Sequence, residues 1–130
     1  MRVTVEQRDL METQVQARKM YNLLNEVMDI SRQLAEAVDR NDQVSVRMLV
    51  SMRQTPINQA KEADQALRLQ CAADGRLRDL LAGGEAQTPE EVPLANQIAS
   101  NARLLKQVIN LDQILSRKVA REKSIYNREK

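Results

Sequence analysis

Apolar positions recur at helical spacing through the first third of the chain. Leu10, Ala17, Leu24, Ser31 and Val38 stand seven apart, and Thr13, Met20, Val27 and Leu34 fill the positions three or four residues on. This is a 3.5-residue seam of the kind that lines one face of a packed helix, slightly polar at Thr13 and Ser31. Thr4-Val5-Glu6-Gln7 has capping-box spacing. The pattern predicts a first helix over about residues 5–40, roughly 50 Å long at 1.5 Å per residue.

Asn41-Asp42 interrupts the pattern with side chains that accept orphaned amide hydrogens, which predicts the end of one helix and the cap of the next. Val44, Met48, Leu49 and Met52 resume the spacing. Pro56 leaves the Met52 carbonyl without a donor and biases Thr55 away from helical angles. Either the helix kinks there, or Thr55 caps a fresh helix with Pro56 at its first position. Ile57, Ala60, Ala63, Leu67, Cys71, Leu77 and Leu81 carry the pattern on to Gly83-Gly84, with Gly75 a weak point on the way. The expectation is one rod over about 43–82, bent near Pro56.

EAQTPEEVP then reads as a loop. Thr88-Pro89-Glu90-Glu91 supplies a capping hydroxyl, Pro at the first helical position and a Glu able to reach back. Pro93 sits too deep for that same helix to begin cleanly, so the start falls either at Pro89 or at Pro93 after one separate turn. The last helix is expected over about 89–126. The fold class that follows is all-α: one domain over residues 1–130, an elongated, coiled-coil-like antiparallel bundle of three helices.

The last helix has more apolar circumference than such a bundle needs. On a wheel centred on Leu104, the residues Leu111, Leu115, Val108, Val119 and Tyr126 cluster together. Leu94, Leu105, Ile98 and Ile109 extend the arc on one side, and Ile114 and Ile125 on the other, to about 220° in all. Arg103, Lys106, Asn110, Gln113, Arg117 and Arg121 form the remaining strip. A core-facing stripe needs little more than about 100°, so the surplus is a candidate docking surface for another protein's helix. The candidate partner-binding residues are Leu104, Val108, Leu111, Ile114, Leu115, Ile125 and Tyr126 on this helix. Met48 and Met52 on the second rod join them, because methionine surfaces repack around varied partners.

Composition narrows the chemistry. The 130 residues include no His, Phe or Trp, with two Tyr, six Met and one Cys. Absence of His removes the commonest general base and metal ligand. A lone Cys71 forms no intrachain disulfide and reads as a small core hydrophobe. Catalytic, metal and cofactor sites are therefore not expected. No apolar run approaches the ~18 residues of a membrane span, and MRVTVEQRDL has no signal-peptide core, so a cytoplasmic protein without membrane insertion is expected. The net charge is only +2, but residues 117–130 hold six Lys/Arg against two Glu. Basic residues there suit the carboxyl end of a helix dipole.

Residues 34–65, LAEAVDRNDQVSVRMLVSMRQTPINQAKEADQ, resemble the entry to the second helix of flagellar type III export chaperones of the FlgN and FliT type. Leu49, Arg53, Gln54, Ile57 and Asp64 carry the likeness. LLKQVINLDQIL, residues 104–115, is similar to a stretch in the last helices of FliT-type members through Val108, Ile109, Leu111, Asp112 and Ile114. Pro56, and the strongly basic ending, depart from the family pattern. The resemblance implies a cytoplasmic chaperone, not a catalyst. Its partners would be flagellar axial proteins, of the hook–filament junction or filament cap, together with the export apparatus, with Tyr126 a counterpart of a gate-docking tyrosine. A homodimer is compatible with the same likeness.

Three other readings compete. A generic coiled-coil adaptor or self-associating bundle predicts the same fold. VINLDQILSRKVAREK faintly resembles the opening helix of all-helical chorismate mutases, whose cationic side chains stabilise a dianionic transition state. Here that helix comes last in the chain instead of first. A nucleic-acid binder would use Arg103, Lys106, Arg117 and Arg121 along one strip, but no aromatic stacking platform or helix-turn-helix accompanies them.

Overall fold

The structure, a computed structural model, describes the backbone of residues 7–129 and the side-chain surroundings of residues 7–120. The described residues fold entirely as helices and connections: α1 (Gln7–Asp39), α2 (Gln43–Cys71), α3 (Gly75–Leu81), a 3-10 turn (Pro89–Glu91) and α4 (Val92–Glu129). Thr4, and with it the capping hydroxyl expected there, lies outside the described residues.

The α1 seam is the buried one. Leu10, Thr13, Ala17, Leu24, Val27, Ser31, Leu34 and Val38 all face the interior. Its two polar members are satisfied locally. Thr13 Oγ1 donates to the Asp9 carbonyl at 2.7 Å and Ser31 Oγ to the Val27 carbonyl at 2.6 Å, the one-turn back-bond that hides a hydroxyl inside a helix face.

At the first connection each residue has a separate task. Asn41 takes a positive φ of 56°, which Asn tolerates better than most residues. The amides of Asn41 and Asp42 then return to the carbonyls of Val38 and Ala37. These two bonds close α1 as a Schellman motif. Asp42 at once caps α2, accepting from the Ser45 amide at 3.1 Å and from the Ser45 hydroxyl at 2.6 Å. These two bonds, the hydroxyl's first, hold the Asp42 carboxyl below its usual pKa.

The rod expected over 43–82 is two helices, and the break is not at the proline. α2 runs through Pro56 without interruption, with the proline buried. A missing amide costs one hydrogen bond, and burial of the ring offsets part of that loss. The chain stops being helical at Ala72–Asp74 instead. Asp74 Oδ1 caps α3 through the amides of Arg76 and Leu77 at 2.9 and 3.2 Å. Gly75 is thus the first residue of a new helix and not a flaw inside an old one. α3 ends in a second Schellman motif, with Gly83 at φ 97° and the Gly84 amide 2.7 Å from the Asp79 carbonyl.

The connection to α4 resolves the two proline starts as well. Pro89 opens the 3-10 turn and α4 follows from Val92, with Pro93 in its first turn. Half of the expected capping box forms. Thr88 makes no side-chain cap bond, but Glu91 reaches back to accept from the Thr88 amide and, at 2.9 Å, from that of Gln87 before it.

α1 packs along both α2 and α4, which scarcely meet each other through their backbones. Directions follow from three apolar layers. Leu10 and Ala17 meet Leu67 and Cys71 of α2 and Leu94 and Ile98 of α4 at one end, where Leu77 and Leu80 of α3 join them. Leu24, Ala60 and Leu104 form the middle layer. Ile30, Leu34 and Val38 meet Leu49 and Leu115 at the other end. α1 and α4 therefore run in one direction and α2 in the opposite one. Register on the α1–α4 side is pinned by buried Asn101, whose side-chain nitrogen donates to the Ala17 carbonyl at 2.9 Å. Ala17 has no bulk to hold the two backbones apart. Lys118 pairs with Asp39 at 2.8 Å further along the same interface.

Candidate docking cleft between α2 and α4

Because α1 packs along both long neighbours while their backbones stay apart, a channel runs between α2 and α4 with α1 as its floor. α3 covers one end of it, touching both α2 and α4. Past α3 the channel is open, a cleft of about 270 Å³. Met20, Leu24 and Val27 of α1 form its base. Ile57 and Ala60 of α2 face Leu105, Val108 and Ile109 of α4 across it. Its far end is closed by an ion pair between Arg53 of α2 and Asp112 of α4. Arg53 Nε also donates to Ser31 Oγ on α1 at 2.7 Å, so one guanidinium ties all three long helices. Burial works against its charge and pulls its pKa below the usual guanidinium value.

The sequence-derived candidates fall in several places. Leu104, Val108 and Leu115 are buried core residues, of which Val108 also lines the cleft. Leu111 is half-buried against the layer of Ile30, Leu34 and Leu115. Ile114 remains 43% exposed and Ile109, on the opposite border of the apolar arc, 47%. Met48 and Met52 are about half exposed, at 55% and 50%. The helical period puts them about 140–180° around α2 from Ile57, away from the cleft, and Ile114 is about 140° around α4 from Ile109. The candidates therefore do not converge on one surface. Ile125 and Tyr126 lie outside the residues whose side chains are described.

The residues that do converge include several the wheel of α4 alone could not select. Met20, Ile57, Lys61, Asp64 and Arg68 line the cleft from α1 and α2. Arg53 and Asp112, quoted above from separate stretches of sequence, are brought into contact. A signal was present in α2: Arg53, Ile57, Lys61, Asp64 and Arg68 follow at three or four residues, a stripe distinct from its buried face at Leu49, Ala60, Ala63 and Leu67.

A second, tighter polar cluster holds α3 in place. Arg76 meets Glu91 through Nε at 3.0 and 3.1 Å and through a terminal nitrogen at 2.8 Å. The same guanidinium donates to the Glu85 carbonyl. Glu91 is 2% exposed. The Arg76 guanidinium, with the Gln87 amide assisting, holds its carboxyl below the usual range against the opposing effect of burial. The chemistry of this cluster is that of a strut, with every strong donor already matched.

Among the described residues no three His, Cys, Asp or Glu side chains gather as a cation site, and no helix is long and apolar enough to cross a membrane. No buried side-chain nitrogen or oxygen among them lacks a hydrogen-bond partner. What the cleft offers a ligand is thus apolar walls and charged borders. Compared with known proteins, the chain matches no family model, no curated protein and no solved structure.

Proposed function

We propose that this protein is a cytoplasmic chaperone that holds a helix of another protein in the cleft between α2 and α4, in the manner of a flagellar type III export chaperone. The observation that carries the reading is the cleft itself. Three helices in up–down–up order, an elongated antiparallel bundle, leave the fourth position empty for most of its length. The residues around that vacancy are apolar where core would be. An amphipathic guest helix buries its stripe there as it would in a four-helix bundle.

Axial flagellar subunits assemble through helices with exposed apolar stripes, and covering such a stripe keeps subunits apart until export. The likeness to FlgN- and FliT-type sequences in residues 34–65 and 104–115 supplies the particular substrate class, the late hook-associated and cap proteins. Affinity capture from a motile flagellated bacterium tests it, run in parallel with the wild-type chain and with Ile109→Asn. Hook-associated or cap subunits recovered by the wild type and lost in the variant support the assignment. Their absence from both refutes it.

A second reading, a self-associating adaptor, is favoured by a different observation. Val44, Met48 and Met52 form an exposed apolar stripe on the side of α2 away from the cleft. Sedimentation equilibrium separates the two. Dimers abolished by Met48→Asp but not by Ile109→Asn would favour the adaptor.

A further inference from the structure

The cleft also states what its occupant must look like. We infer that the helix seated there carries carboxylates along both borders of its apolar stripe and lies end to end with α3; this rests on the helix-docking reading above and adds a charge pattern and a length to it.

Length comes from the two ends. α3 fills the fourth position, with its Leu77 and Leu80 against Leu67 of α2 and Leu94 of α4, and the Arg53–Asp112 pair closes the other end. Between them the α2 wall from Arg53 to Arg68 spans about 22 Å, room for a guest of about four helical turns.

Charge comes from which border groups are already matched. Asp64 is bonded to Arg68 at 2.9 Å, and Asp112 to Arg53. Lys61 on α2 and Lys106 on α4 are both exposed, and neither enters an ion pair among the described residues. Lys61 lies about 40° around α2 from Ile57, and Lys106 about 60° around α4 from Ile109, so each stands on the outer border of its wall. Arg53 and Arg68 thus match the two anions of the cleft, and Lys61 and Lys106 are the cations beside it left without a carboxylate. A lysine so placed can lay its methylenes on the guest's apolar stripe and offer its ammonium group to a carboxylate beyond it. A guest with basic borders meets two unmatched like charges instead, which is a means of rejection as well as selection.

The test uses the full chain and three labelled peptides of about 16 residues, each with the same leucine stripe at helical spacing and with borders of Glu, Gln or Lys. Affinity is read by fluorescence anisotropy, and circular dichroism checks that each protein variant is folded. The Glu peptide should bind about tenfold more tightly than the Lys peptide at low salt, with the gap narrowing as salt rises. Lys61→Glu with Lys106→Glu should reverse the order, and Ile109→Asn should weaken all three. Equal binding of Glu and Lys peptides, or a preference unmoved by the double charge reversal, overturns the inference while leaving helix docking intact if Ile109→Asn still weakens binding. Failure of every peptide to bind, or binding indifferent to Ile109→Asn, removes helix docking itself and the inference with it.

Discussion

Arg53 and Asp112 form an ion pair between α2 and α4, the two long helices whose backbones scarcely approach each other. The partners are unequally exposed, the Arg53 side chain at 16% and that of Asp112 at 43%. That inequality decides what each deletion does. Asp112→Ala strands a largely covered guanidinium, whereas Arg53→Ala leaves a carboxylate that water already reaches. Arg53→Ala also loses the bond to Ser31 and the packing of the arginine stem. A double-mutant cycle separates these contributions. Chemical denaturation of Arg53→Ala, Asp112→Ala and the double variant should return a coupling of about 1–2 kcal/mol, within the range for residues sharing one polar network. Coupling near zero would show that the pair does not tie the helices in solution.

The Arg76–Glu91 pair predicts a pH effect with a definite sign. Glu91 has its pKa lowered in the folded chain, by Arg76 first and then by the Gln87 amide, against burial. The folded state therefore binds fewer protons at this site than the unfolded state. The stabilisation is complete above the unfolded glutamate value of about 4.3 and is lost as pH falls through the lower folded value. Glu91→Gln should melt at a lower temperature than the wild type at pH 7, and the two melting curves should converge in acid. A gap that does not shrink on acidification would mean the carboxylate charge is not what matters. Because Glu91 is packed against α3, amide hydrogen exchange in Gly75–Leu81 should accelerate in the variant before that in α1.

Much of the fold was legible because burial and periodicity agree. The seven-residue series from Leu10 to Val38, with the positions that fill it, holds eight of the ten buried residues of α1, leaving out Ile30 and Ala37. Asn41-Asp42 was readable since each side chain has a conformational role that few other residues fill. Of the two readings at Pro56, the fresh helix capped by Thr55 does not form, because α2 is continuous through the proline. Its local penalty is real, but the sequence does not show that the ring is buried, and tertiary packing overrides propensity. The true break had a local signature in Asp74-Gly75, a capping side chain followed by a flexible first position. The cleft was harder to read because no one helix contains it. The wheel of α4 carries surplus apolar surface, yet only the placement of α2 and α3 shows which part is covered and that Leu105 and Ile109 face Ile57 across a gap.

Two glycines and one asparagine test the turn geometry. A Cβ at Gly84 would lie 2.7 Å from the Asp79 carbonyl oxygen, which is backbone and has no rotamer to move. At Gly83 there is open space but φ is 97°. Gly83→Ala should cost about 1 kcal/mol from backbone strain alone, and Gly84→Ala more. Asn41→Gly should cost less than Asn41→Val, because glycine accepts the positive φ without strain and a β-branched residue does not. Thermal melts of the four variants give the order directly. Equal costs at Gly83 and Gly84 would deny the close approach at Gly84.

Leu67, at 1% exposure, belongs to the layer that joins α1, α2, α3 and α4. Leu67→Ala should cost about 2–5 kcal/mol, as large-to-small changes in a close-packed core do. Cys71, next along the same face, is fully buried, and burial first of all pushes its thiol pKa up. Its reaction with a thiol reagent should therefore be slow in the wild type and much faster in Leu67→Ala, since attack requires a thiolate that reagent can reach. Fast labelling of the native wild type would contradict the burial of this layer.

The decisive contrast lies along α4. Leu111 packs against the layer of Ile30, Leu34 and Leu115, whereas Ile109 and Ile114 are nearly half exposed. Charge placed at Leu111 must be desolvated as the helices close against this apolar layer. Leu111→Asp should therefore lower the denaturation midpoint substantially. Ile114→Asp and Ile109→Asn should retain near-native helicity and lose about 1 kcal/mol or less, as surface changes do. Binding then divides the two tolerant positions, because Ile109 lines the cleft and Ile114 is turned about 140° from it. Peptide capture should fall in Ile109→Asn and persist in Ile114→Asp. If Ile114→Asp alone lost binding, the guest would lie against the opposite flank of α4, and the cleft would not be its seat.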